Sequence, residues 1–396
     1  MTLVADILDD IRLHGWEAAS RYTRQFDGVD RAVTDMLWNP MAEPRAIPDP
    51  IAREAIDFAM DQIRRFHVAT RPQDVTVNQA AGLTLSERFL PLKRVGLYVP
   101  NGDYPLISSL LMTAIPARVA GVEDLVVAIP PRGDVRHHPL WLYALQTLAI
   151  TEAISLGGAQ AIGILGYGAD HLPPVDLIAG PGNRYVAEAK QELQRRQVTG
   201  IDLTAGPSEV LIIADDPAYA EVAAMDLLAQ AEHAADTRAF LVTWNPACLT
   251  AVKRRLAEEA KPQTLGAIEL QLVTNQDEAV HAANRIAPEH LGLMGAAAEA
   301  LLPRIRTAGA VFVGAMAGQA LGDYVAGPSH VLPTGGTGRF LSGLSTRTFM
   351  RRMSVIDARA DMPERYLQAG QVLAGLEGLT FHQKSLSARQ ALGGQP

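Results

Sequence analysis

Val95-Gly-Leu-Tyr-Val99 is a short, mostly apolar run that ends in Pro100-Asn-Gly102. A run of this length bounded by turn residues is typical of a buried β-strand. Further runs of the same kind, separated by helical patterns, follow at residues 125–129, 153–156 and 176–179. Strand, turn and helix repeated in this order predict a parallel sheet that is covered by helices on both faces.

The same alternation restarts after Gly206-Pro-Ser208. Strands are predicted, again with helices between them, at residues 210–214, 239–243, 268–273 and 310–313. Two consecutive halves of this kind predict an α/β fold of two similar Rossmann-like parallel-sheet domains that arose by internal duplication. Because open α/β sheets bind ligands outside the carboxyl ends of their strands, we expect functional residues at those ends.

Helical patterns flank the two halves, so the predicted fold includes helical N- and C-terminal segments. Apolar residues recur every three or four positions from Val4 to Ile11, which places them on one face of a helix. A Pro-rich break at residues 40–50 precedes a second helix, predicted at residues 51–66. The last predicted helix covers residues 364–376.

The composition is that of a globular protein, with 48% hydrophobic and 20% charged residues in a chain of 396. A net charge of −8 argues against a nucleic-acid partner or an anionic membrane surface. No signal-peptide or membrane-span pattern is present, so we expect a cytoplasmic protein. The single cysteine, Cys248, excludes an intrachain disulfide and a Cys-rich zinc module, so nitrogen and oxygen ligands must hold any metal.

Asp226, Gln230 and His233 recur at spacings of four and three near the end of a helix predicted from about residue 217. At these spacings the three side chains share one helical face. A carboxylate, an amide and an imidazole on one face are able to hold a metal ion or to form a buried polar network. Simple capping and solvation at a helix end is the alternative that the spacing alone leaves open.

Ala287-Pro-Glu-His-Leu291 places an acid beside an imidazole between a helix and a strand. Proline is unfavourable inside a helix, so we predict that Glu289 and His290 lie in the turn. In a cleft they could serve as general acid and base, whereas in a surface turn they would simply be solvated. The irregular stretch at residues 322–338 is also typical of a functional loop.

Two Gly-rich turns, Gly157-Gly-Ala-Gln160 and Gly180-Pro-Gly-Asn183, join strands to helix N-termini. Helix N-termini favour anions such as phosphate groups. Neither turn is a GxGxxG fingerprint, so each is a weak nucleotide signal and also fits an ordinary tight turn.

A series of short motifs runs through the chain in a fixed order: Tyr98-Val-Pro, Gly157-Gly-Ala-Gln-Ala-Ile162, Gly180-Pro-Gly-Asn183, Ala205-Gly-Pro-Ser-Glu209, Gln230-Ala-Glu-His233, Ala287-Pro-Glu-His-Leu291, Gly322-Asp-Tyr324, Ser329-His-Val-Leu-Pro-Thr334 and Glu377-Gly-Leu-Thr-Phe-His382. In these motifs and their order, the sequence resembles the histidinol dehydrogenase family from about residue 7 to the C-terminus. So many ordered motifs make a chance resemblance negligible.

The resemblance implies a zinc-dependent, NAD-linked dehydrogenase that converts L-histidinol to L-histidine through the aldehyde, using two NAD. By matching motifs, His290 is the general base and Glu289 activates the water that the aldehyde step needs. The family's zinc ligands match Gln230, His233, Asp323 and His382. Its substrate contacts match these four ligands together with Ser208, His290, His330 and Glu377. Its NAD contacts match Tyr98, Gln160 and Asn183.

The resemblance also implies a domain division and an assembly. We expect a first α/β domain formed by residues 1–97 and 208–343, which carries the N-terminal helices and the zinc and catalytic residues. Residues 98–207 form a second α/β domain that contacts NAD. Residues 344–396 form a C-terminal segment that, in the family, reaches the neighbouring subunit. We therefore expect a homodimer with shared active sites, in which His382 completes the partner's site.

Three residues depart from those usual in the family, namely Asn101, Ser329 and Phe381, and the N-terminus looks shortened. None of the three is a ligand or catalytic position. The superfamily also contains dehydrogenases for other small alcohols, such as sulfopropanediol. Two alternatives therefore stay open: a zinc and NAD dehydrogenase of another small amino or hydroxy alcohol, and a non-catalytic binding homologue.

Overall fold

A computed structural model describes residues 3–30, 32–102, 105–204, 206–259 and 266–393. The chain forms two units, the first made of residues 1–71 and 92–349 and the second of residues 72–91 and 350–396. The helices are α1 (Val4–Asp27), α2 (Pro50–Ala69), α3 (Ile107–Ala120), α4 (Pro139–Thr147), α5 (Gly158–Tyr167), α6 (Arg184–Arg195), α7 (Ala220–Ala231), α8 (Pro246–Glu259), α9 (Gln276–Ile286), α10 (Ala296–Glu299), α11 (Gln319–Tyr324), α12 (Arg365–Leu376) and α13 (Thr380–Gly393). The strands are β1 (Leu37–Trp38), β2 (Val75–Ala80), β3 (Leu83–Pro91), β4 (Arg94–Tyr98), β5 (Asp124–Ala128), β6 (Glu152–Ile154), β7 (Leu177–Ala179), β8 (Gly200–Ile201), β9 (Glu209–Ala214), β10 (Arg238–Thr243), β11 (Ala267–Leu272), β12 (His290–Met294), β13 (Ala310–Val313) and β14 (Met350–Ala358).

Two sheets form the first unit, and their parallel strands share one order. In the first sheet the parallel strands run β6-β5-β4-β7-β8, and β1 is added antiparallel at the β6 edge. In the second sheet the order is β11-β10-β9-β12-β13. In each half the first strand is central, the next two lie on one side and the last two on the other. This repeated order confirms the predicted α/β fold and fits an internal duplication.

Helix α1 covers one face of the first sheet together with α5 and α6. The apolar residues predicted from Val4 to Ile11 are buried against these helices and the sheet, and Val126 and Ala128 of β5 belong to the same cluster. Because side chains alternate along a strand, Leu125 and Val127 point to the opposite face. The apolar helices α3 and α4 cover that opposite face.

The second sheet is covered in the same way. Helices α7 and α8 pack on one face against Val210 and Ile212 of β9. Helix α9 packs on the other face against Leu211 and Ile213 of the same strand. The near-continuous apolar sequence of β9 follows from this burial on both faces. Within the described residues, no helix is long and apolar enough to cross a membrane.

The second unit contains an antiparallel sheet of β2, β3 and β14, and a helix pair, α12 and α13. Strand β14 pairs with β3 from Met350 opposite Pro91 to Ala358 opposite Leu83. Helix α12 was predicted, whereas the helix that follows it, α13, was not. The sheet of this unit has no counterpart in the sequence prediction.

The structure differs from the predicted domain division in two places. Helix α1 packs on the first sheet, with the proposed NAD half, and not on the half formed by residues 208–343. Residues 72–91 were assigned to the first domain, but β3 pairs with β14 in the second unit. Both differences arise from contacts between segments that lie far apart in the chain, which local patterns do not reveal.

His67 in α2 is expected to make the protein less stable in acid. The side chain is 0% exposed, neither ring nitrogen has a hydrogen-bond partner within the described residues, and burial lowers its pKa from 6.5 to about 4. The pKa of His67 is lower in the folded state than in the unfolded state. The free energy of unfolding therefore has its full value, as far as His67 is concerned, above pH 6.5, and it declines as the pH falls towards 4. Between pH 7.5 and 4.5 the expected loss is about 2–3 kcal/mol.

Urea unfolding at both pH values, compared between the wild type and His67→Leu, measures this loss. In His67→Leu the free energy of unfolding should fall less between the two pH values, because the buried imidazole is absent. The control His281→Gln, on the exposed side of α9, should show the same fall as the wild type. An identical pH dependence in the wild type and His67→Leu would contradict the prediction.

Candidate active site

Glu289 and His290 lie at the amino end of the second sheet. His290 is the first residue of β12, and it pairs with Val210 and Ala310 near the starts of β9 and β13. Glu289 immediately precedes the strand. Two expectations are corrected here, because His290 belongs to a strand and not to the turn, and because the pair lies at the amino ends of the strands and not at their carboxyl ends.

The main chain of Glu209 connects the two predicted catalytic residues. Its N–H donates to Oε2 of Glu289 at 3.1 Å, and its carbonyl oxygen lies 3.3 Å from Nδ1 of His290. The Glu209 carboxylate accepts a hydrogen bond from Gly335 at 3.2 Å, and the hydroxyl of Ser208 hydrogen bonds to Glu289. The side chains of Glu209, Glu289 and His290 are buried. An acid and an imidazole are thus held in fixed positions away from bulk water.

The predicted functional loop contributes Asp323 and His330 to the same place. Oδ1 of Asp323 lies 3.6 Å from Nε2 of His290, which is too long for a hydrogen bond but close enough for charge attraction. The main-chain carbonyl oxygen of Asp323 lies 3.0 Å from Nδ1 of His330. Helix α11 packs closely on β13, since a Cβ on Gly322 would lie 2.6 Å from the ring of Phe312. That ring also faces His290, at 5.8 Å between centroids.

The charges of this cluster are interdependent. Burial raises the pKa of Glu289 above its ordinary value, although nearby His290 opposes the change. Burial acts to lower the pKa of His290, but the carboxylates of Glu289 and Asp323 outweigh it, and the pKa is raised. Burial acts to raise the pKa of Asp323, but His290, His330 and His233 outweigh it, and the pKa is lowered. The two carboxylates therefore stabilise the positive charge that the His290 imidazole acquires when it takes up a proton.

Gln230 lies in the last turn of α7, and His233 follows two residues after the helix ends, close enough to Asp323 to affect its pKa. Gln230 is 1% exposed, and its Nε2 has no hydrogen-bond partner within the described residues. His233 directs Nδ1 towards the carbonyl oxygen of Ala229 at 2.8 Å, and its Nε2 makes no hydrogen bond to the described residues. An amide oxygen, an imidazole oriented by a carbonyl and the Asp323 carboxylate are suitable ligands for a divalent ion.

Asp226, on the same helical face, takes no part in this group. It lies beside Gly318 at the start of α11, where a Cβ would be 3.2 Å from its Oδ1. Burial raises the pKa of Asp226 to about 6. Of the three side chains that the spacing places on this face, His233 is the one whose charge acts on Asp323.

Glu377 and His382 belong to the second unit, where both are exposed. In the part of the chain that the structure describes, no three His, Cys, Asp or Glu side chains form a group able to hold a metal. Of the four predicted ligands, Gln230 is an amide and His382 lies in the second unit. The first unit therefore contributes only His233 and Asp323 of this set to such a group.

The three predicted NAD contacts lie at the carboxyl edge of the first sheet, as expected for an open α/β sheet. Tyr98 ends β4, and its hydroxyl accepts a 3.2 Å hydrogen bond from the N–H of Gly158 at the start of α5. Gln160 lies on the first turn of α5 and is buried. Asn183 caps α6, and its Oδ1 accepts hydrogen bonds from the N–H groups of Tyr185 and Val186 at 3.0 and 3.1 Å.

A buried ion pair holds the turn that leads to Asn183. Nζ of Lys190 donates to the Gly180 carbonyl at 3.0 Å, and the Asp202 carboxylate accepts from the Gly180 N–H at 2.8 Å and pairs with Lys190. Gly180 has φ +113°, and a Cβ there would lie 2.1 Å from the carbonyl oxygen of Tyr98. Only glycine fits this turn, which both charged groups clamp.

The sequence model described as Histidinol dehydrogenase matches residues 1–390 of this chain. The chain belongs to the histidinol dehydrogenase family. The histidinol dehydrogenase of Idiomarina loihiensis is 39% identical over 395 residues, covering 98% of this chain and 89% of that protein. That of Gluconobacter oxydans is 41% identical over 400 residues, covering 98% and 92%. The resemblance seen in the motifs is confirmed, and the family makes this chain an oxidoreductase.

Solved structures agree with this membership. The crystal structure of histidinol dehydrogenase from Elizabethkingia anophelis has a TM-score of 0.92 and 31% identity, covering 98% of this chain and 91% of that one. An NAD-dependent aldehyde dehydrogenase from Sinorhizobium meliloti has a TM-score of 0.52 at 14% identity, covering 91% and 82%. At that identity the second likeness shows the fold alone.

The departures from the usual residues of the histidinol dehydrogenase family are accommodated differently. Asn101 donates hydrogen bonds from Nδ2 to the carbonyls of Pro130 and Arg132, at 3.0 and 2.8 Å, and so ties two loops beside Tyr98. Ser329 donates to the carbonyl of Met112 in α3 at 3.0 Å. Phe381 is 83% exposed in the second unit.

Glu209, Lys190 and Asp202 are residues of the candidate site that the sequence patterns did not single out. Glu209 ends the motif that contains Ser208, so its position beside a predicted substrate residue was a usable signal. Lys190 and Asp202 carried no such signal, because Lys190 lies in a helix with an ordinary amphipathic pattern. Only the three-dimensional contact with Gly180 identifies their role.

The Lys190–Asp202 pair is expected to behave as a buried ion pair in stability measurements. Asp202→Leu leaves the Lys190 ammonium buried without its partner, which should reduce the free energy of unfolding by about 3–5 kcal/mol. Adding Lys190→Met should recover most of that loss, because two apolar side chains replace two charges.

Urea unfolding of the two single variants and the double variant tests this. An exposed pair, Arg304 with Asp277, serves as control, and Asp277→Ala should cost under about 1 kcal/mol. Equal losses in the single and double variants would contradict the coupling.

Proposed function

We propose that this chain oxidises L-histidinol to L-histidine through the aldehyde, with two NAD and a divalent ion, in histidine biosynthesis. The observation that carries the proposal is the buried cluster of Glu289, His290 and Asp323, beside Gln230 and His233, in a member of the histidinol dehydrogenase family. Its residue types are those that a two-step alcohol and aldehyde oxidation requires: a base for the alcohol proton and a second base for water.

His290 acts as the base that removes the alcohol proton. Its Nδ1 faces the carbonyl oxygen of Glu209, which only accepts hydrogen bonds, so Nδ1 carries the hydrogen and Nε2 carries the lone pair in the neutral ring. The proton therefore moves to Nε2. The imidazolium that results is stabilised by the carboxylates of Glu289 and Asp323, which already raise the pKa of His290.

Glu289 acts in the second step, when the aldehyde must be hydrated before another hydride leaves. Hydrogen bonds from the Glu209 N–H and the Ser208 hydroxyl orient its carboxyl group. Burial raises its pKa, which makes it a stronger base than an exposed carboxylate. It takes a proton from the water that adds to the aldehyde carbon.

Gln230, His233, Asp323 and His382 would hold the divalent ion, most suitably zinc. When bound, zinc supplies a Lewis acid that polarises and orients the substrate. Contacts with the substrate's amino alcohol come from those ligands and from Ser208, His290, His330 and Glu377.

For NAD, the proposed contacts are Tyr98, Gln160 and Asn183. Catalysis is thus assigned to residues 208–343 and cofactor contacts to residues 98–207.

We further propose a cytoplasmic homodimer in which Glu377 and His382 complete the partner's site. Support comes from the exposure of both residues and of their apolar neighbours. Within α12 and α13, Leu376 is 80% exposed and Phe381 is 83% exposed. Apolar surface of this kind favours a partner that covers it.

NADH formation with a panel of small alcohols tests the proposed function. L-histidinol should be oxidised with two NADH formed for each alcohol consumed, as the four-electron reaction requires. Oxidation of a different alcohol, such as a sulfopropanediol, with L-histidinol inert would replace the substrate but keep the chemistry. A protein that oxidises no alcohol while binding a metal would favour a non-catalytic binding homologue.

Metal content tests the ligand assignment. Protein prepared without chelator should contain about one divalent ion per chain, and His233→Ala should lose most of it, because one of four ligands is removed. His281→Ala, on the exposed side of α9, is the matched control and should keep the wild-type content. Unchanged metal in His233→Ala would exclude His233 as a ligand.

A further inference from the structure

Asp27, the last residue of α1, lies beside a proposed NAD contact that is far away in sequence. Its Oδ2 accepts a 3.4 Å hydrogen bond from Nε2 of Gln160, which is 133 residues away. In the described parts of the chain, no donor lies within hydrogen-bonding distance of its Oδ1. Neither the family resemblance nor the mechanism above uses this carboxylate.

A carboxylate at the position of Asp27 is unfavourable without a further partner. It lies at the C-terminal end of α1, where the helix dipole is negative. Burial raises its pKa, and the Arg132 cation opposes this without forming an ion pair among the described residues. One long hydrogen bond from an amide offsets little of this cost. A ligand that donates hydrogen bonds to the carboxylate would offset much more.

Several features place Asp27 at the edge where a dinucleotide would lie. Gln160 is on the first turn of α5, directly after the carboxyl end of β6, and helix N-termini at this edge favour the pyrophosphate. Tyr98 ends the central strand β4, and the charges of Asp27 and Arg132 both affect its pKa. Arg132 lies in the loop after β5, at the same edge. A carboxylate next to a pyrophosphate position is well placed for a ribose.

The two faces of the first sheet indicate which ribose this is. Helices α1 and α5, and with them Asp27, lie on one face. The loop that carries His330 contacts the helix on the other face, since Ser329 donates to the Met112 carbonyl in α3. A dinucleotide with its nicotinamide near the catalytic cluster would cross the strand ends and reach Asp27 with its adenosine half.

We propose that Asp27 recognises the adenosine ribose of NAD by accepting hydrogen bonds from its 2′- and 3′-hydroxyls, and thereby excludes NADP. The inference rests on the proposed NAD-linked function and adds a specificity-determining residue to it. Carboxylates bind ribose hydroxyls in this way in dinucleotide folds. The 2′-phosphate of NADP would remove one donor and bring a second negative charge against the carboxylate.

Direct titration of purified protein with NAD and with NADP, in the absence of any alcohol, measures this recognition by calorimetry. The wild type should bind NAD about 10-fold or more tightly than NADP, since a hydrogen bond to a charged group is lost. Asp27→Asn should bind NAD about 10-fold more weakly and lose most of the discrimination, because the amide repels no phosphate. Asp30→Asn is the matched control, as Asp30 is exposed and paired with Arg24.

The outcomes separate this inference from the proposed function. A wild type that binds NAD while Asp27→Asn keeps the same NAD-to-NADP ratio would overturn the inference and leave the function standing. A wild type that does not bind NAD would overturn both. Should Asp27→Asn fail to fold, the wild type can be titrated with NAD that lacks the 2′-hydroxyl. Binding as tight as that of NAD would overturn the inference, and binding about 10-fold weaker would support it.

Discussion

Replacing Glu289 with Gln is expected to slow aldehyde oxidation by about 10²–10⁴-fold while alcohol oxidation is affected far less. Only the second half-reaction needs a base for water, and an amide cannot serve as that base. The substitution preserves the fold of the site, because the amide oxygen can still accept the hydrogen bond from the Glu209 N–H. The half-reactions are measured separately, with the alcohol and with the aldehyde as starting substrate.

Two further variants complete this test. Substitutions of His290 should impair both half-reactions, since both need a proton removed in the buried cluster. Glu269→Gln, on β11 and outside the cluster, should change neither. Equal losses in the two half-reactions of Glu289→Gln would remove the role in water activation from Glu289.

Mixing two inactive variants, His382→Ala and Glu289→Ala, is expected to restore about a quarter of the wild-type activity. In the proposed homodimer each site combines Glu289 of one chain with His382 of the other. Random exchange makes half of the dimers mixed, and each mixed dimer holds one intact site. If both residues of a site came from the same chain, every site would keep a lesion and no activity would return.

A matched control uses two residues of the first unit. Glu289→Ala mixed with His233→Ala should restore nothing, because both residues belong to the same unit of one chain. Subunit exchange is verified independently with two different affinity tags. Exchange without recovered activity in the first mixture would reject the shared site.

Short-range patterns predicted most of the elements but fewer of their contacts. The apolar run at residues 95–99 forms most of strand β4, and Gln230 lies in the last turn of α7, with His233 just beyond the helix end. The sequence predicts a turn at Glu289 and His290 with a strand after it, whereas strand β12 already begins at His290. The glycine turn at residue 180 was recognised, whereas the ion pair that clamps it was not.

The sequence by itself determined most of the elements, the repeated alternation of strands and helices, and the family, because periodicity, turn residues and motif order are properties of short stretches. The tertiary structure alone decided which edge of the second sheet carries the site. It also decided that β3 pairs with β14 and that Asp27 meets Gln160. The reason is physical: burial and backbone conformation are set within a few residues, whereas strand pairing and charge proximity depend on where distant segments pack.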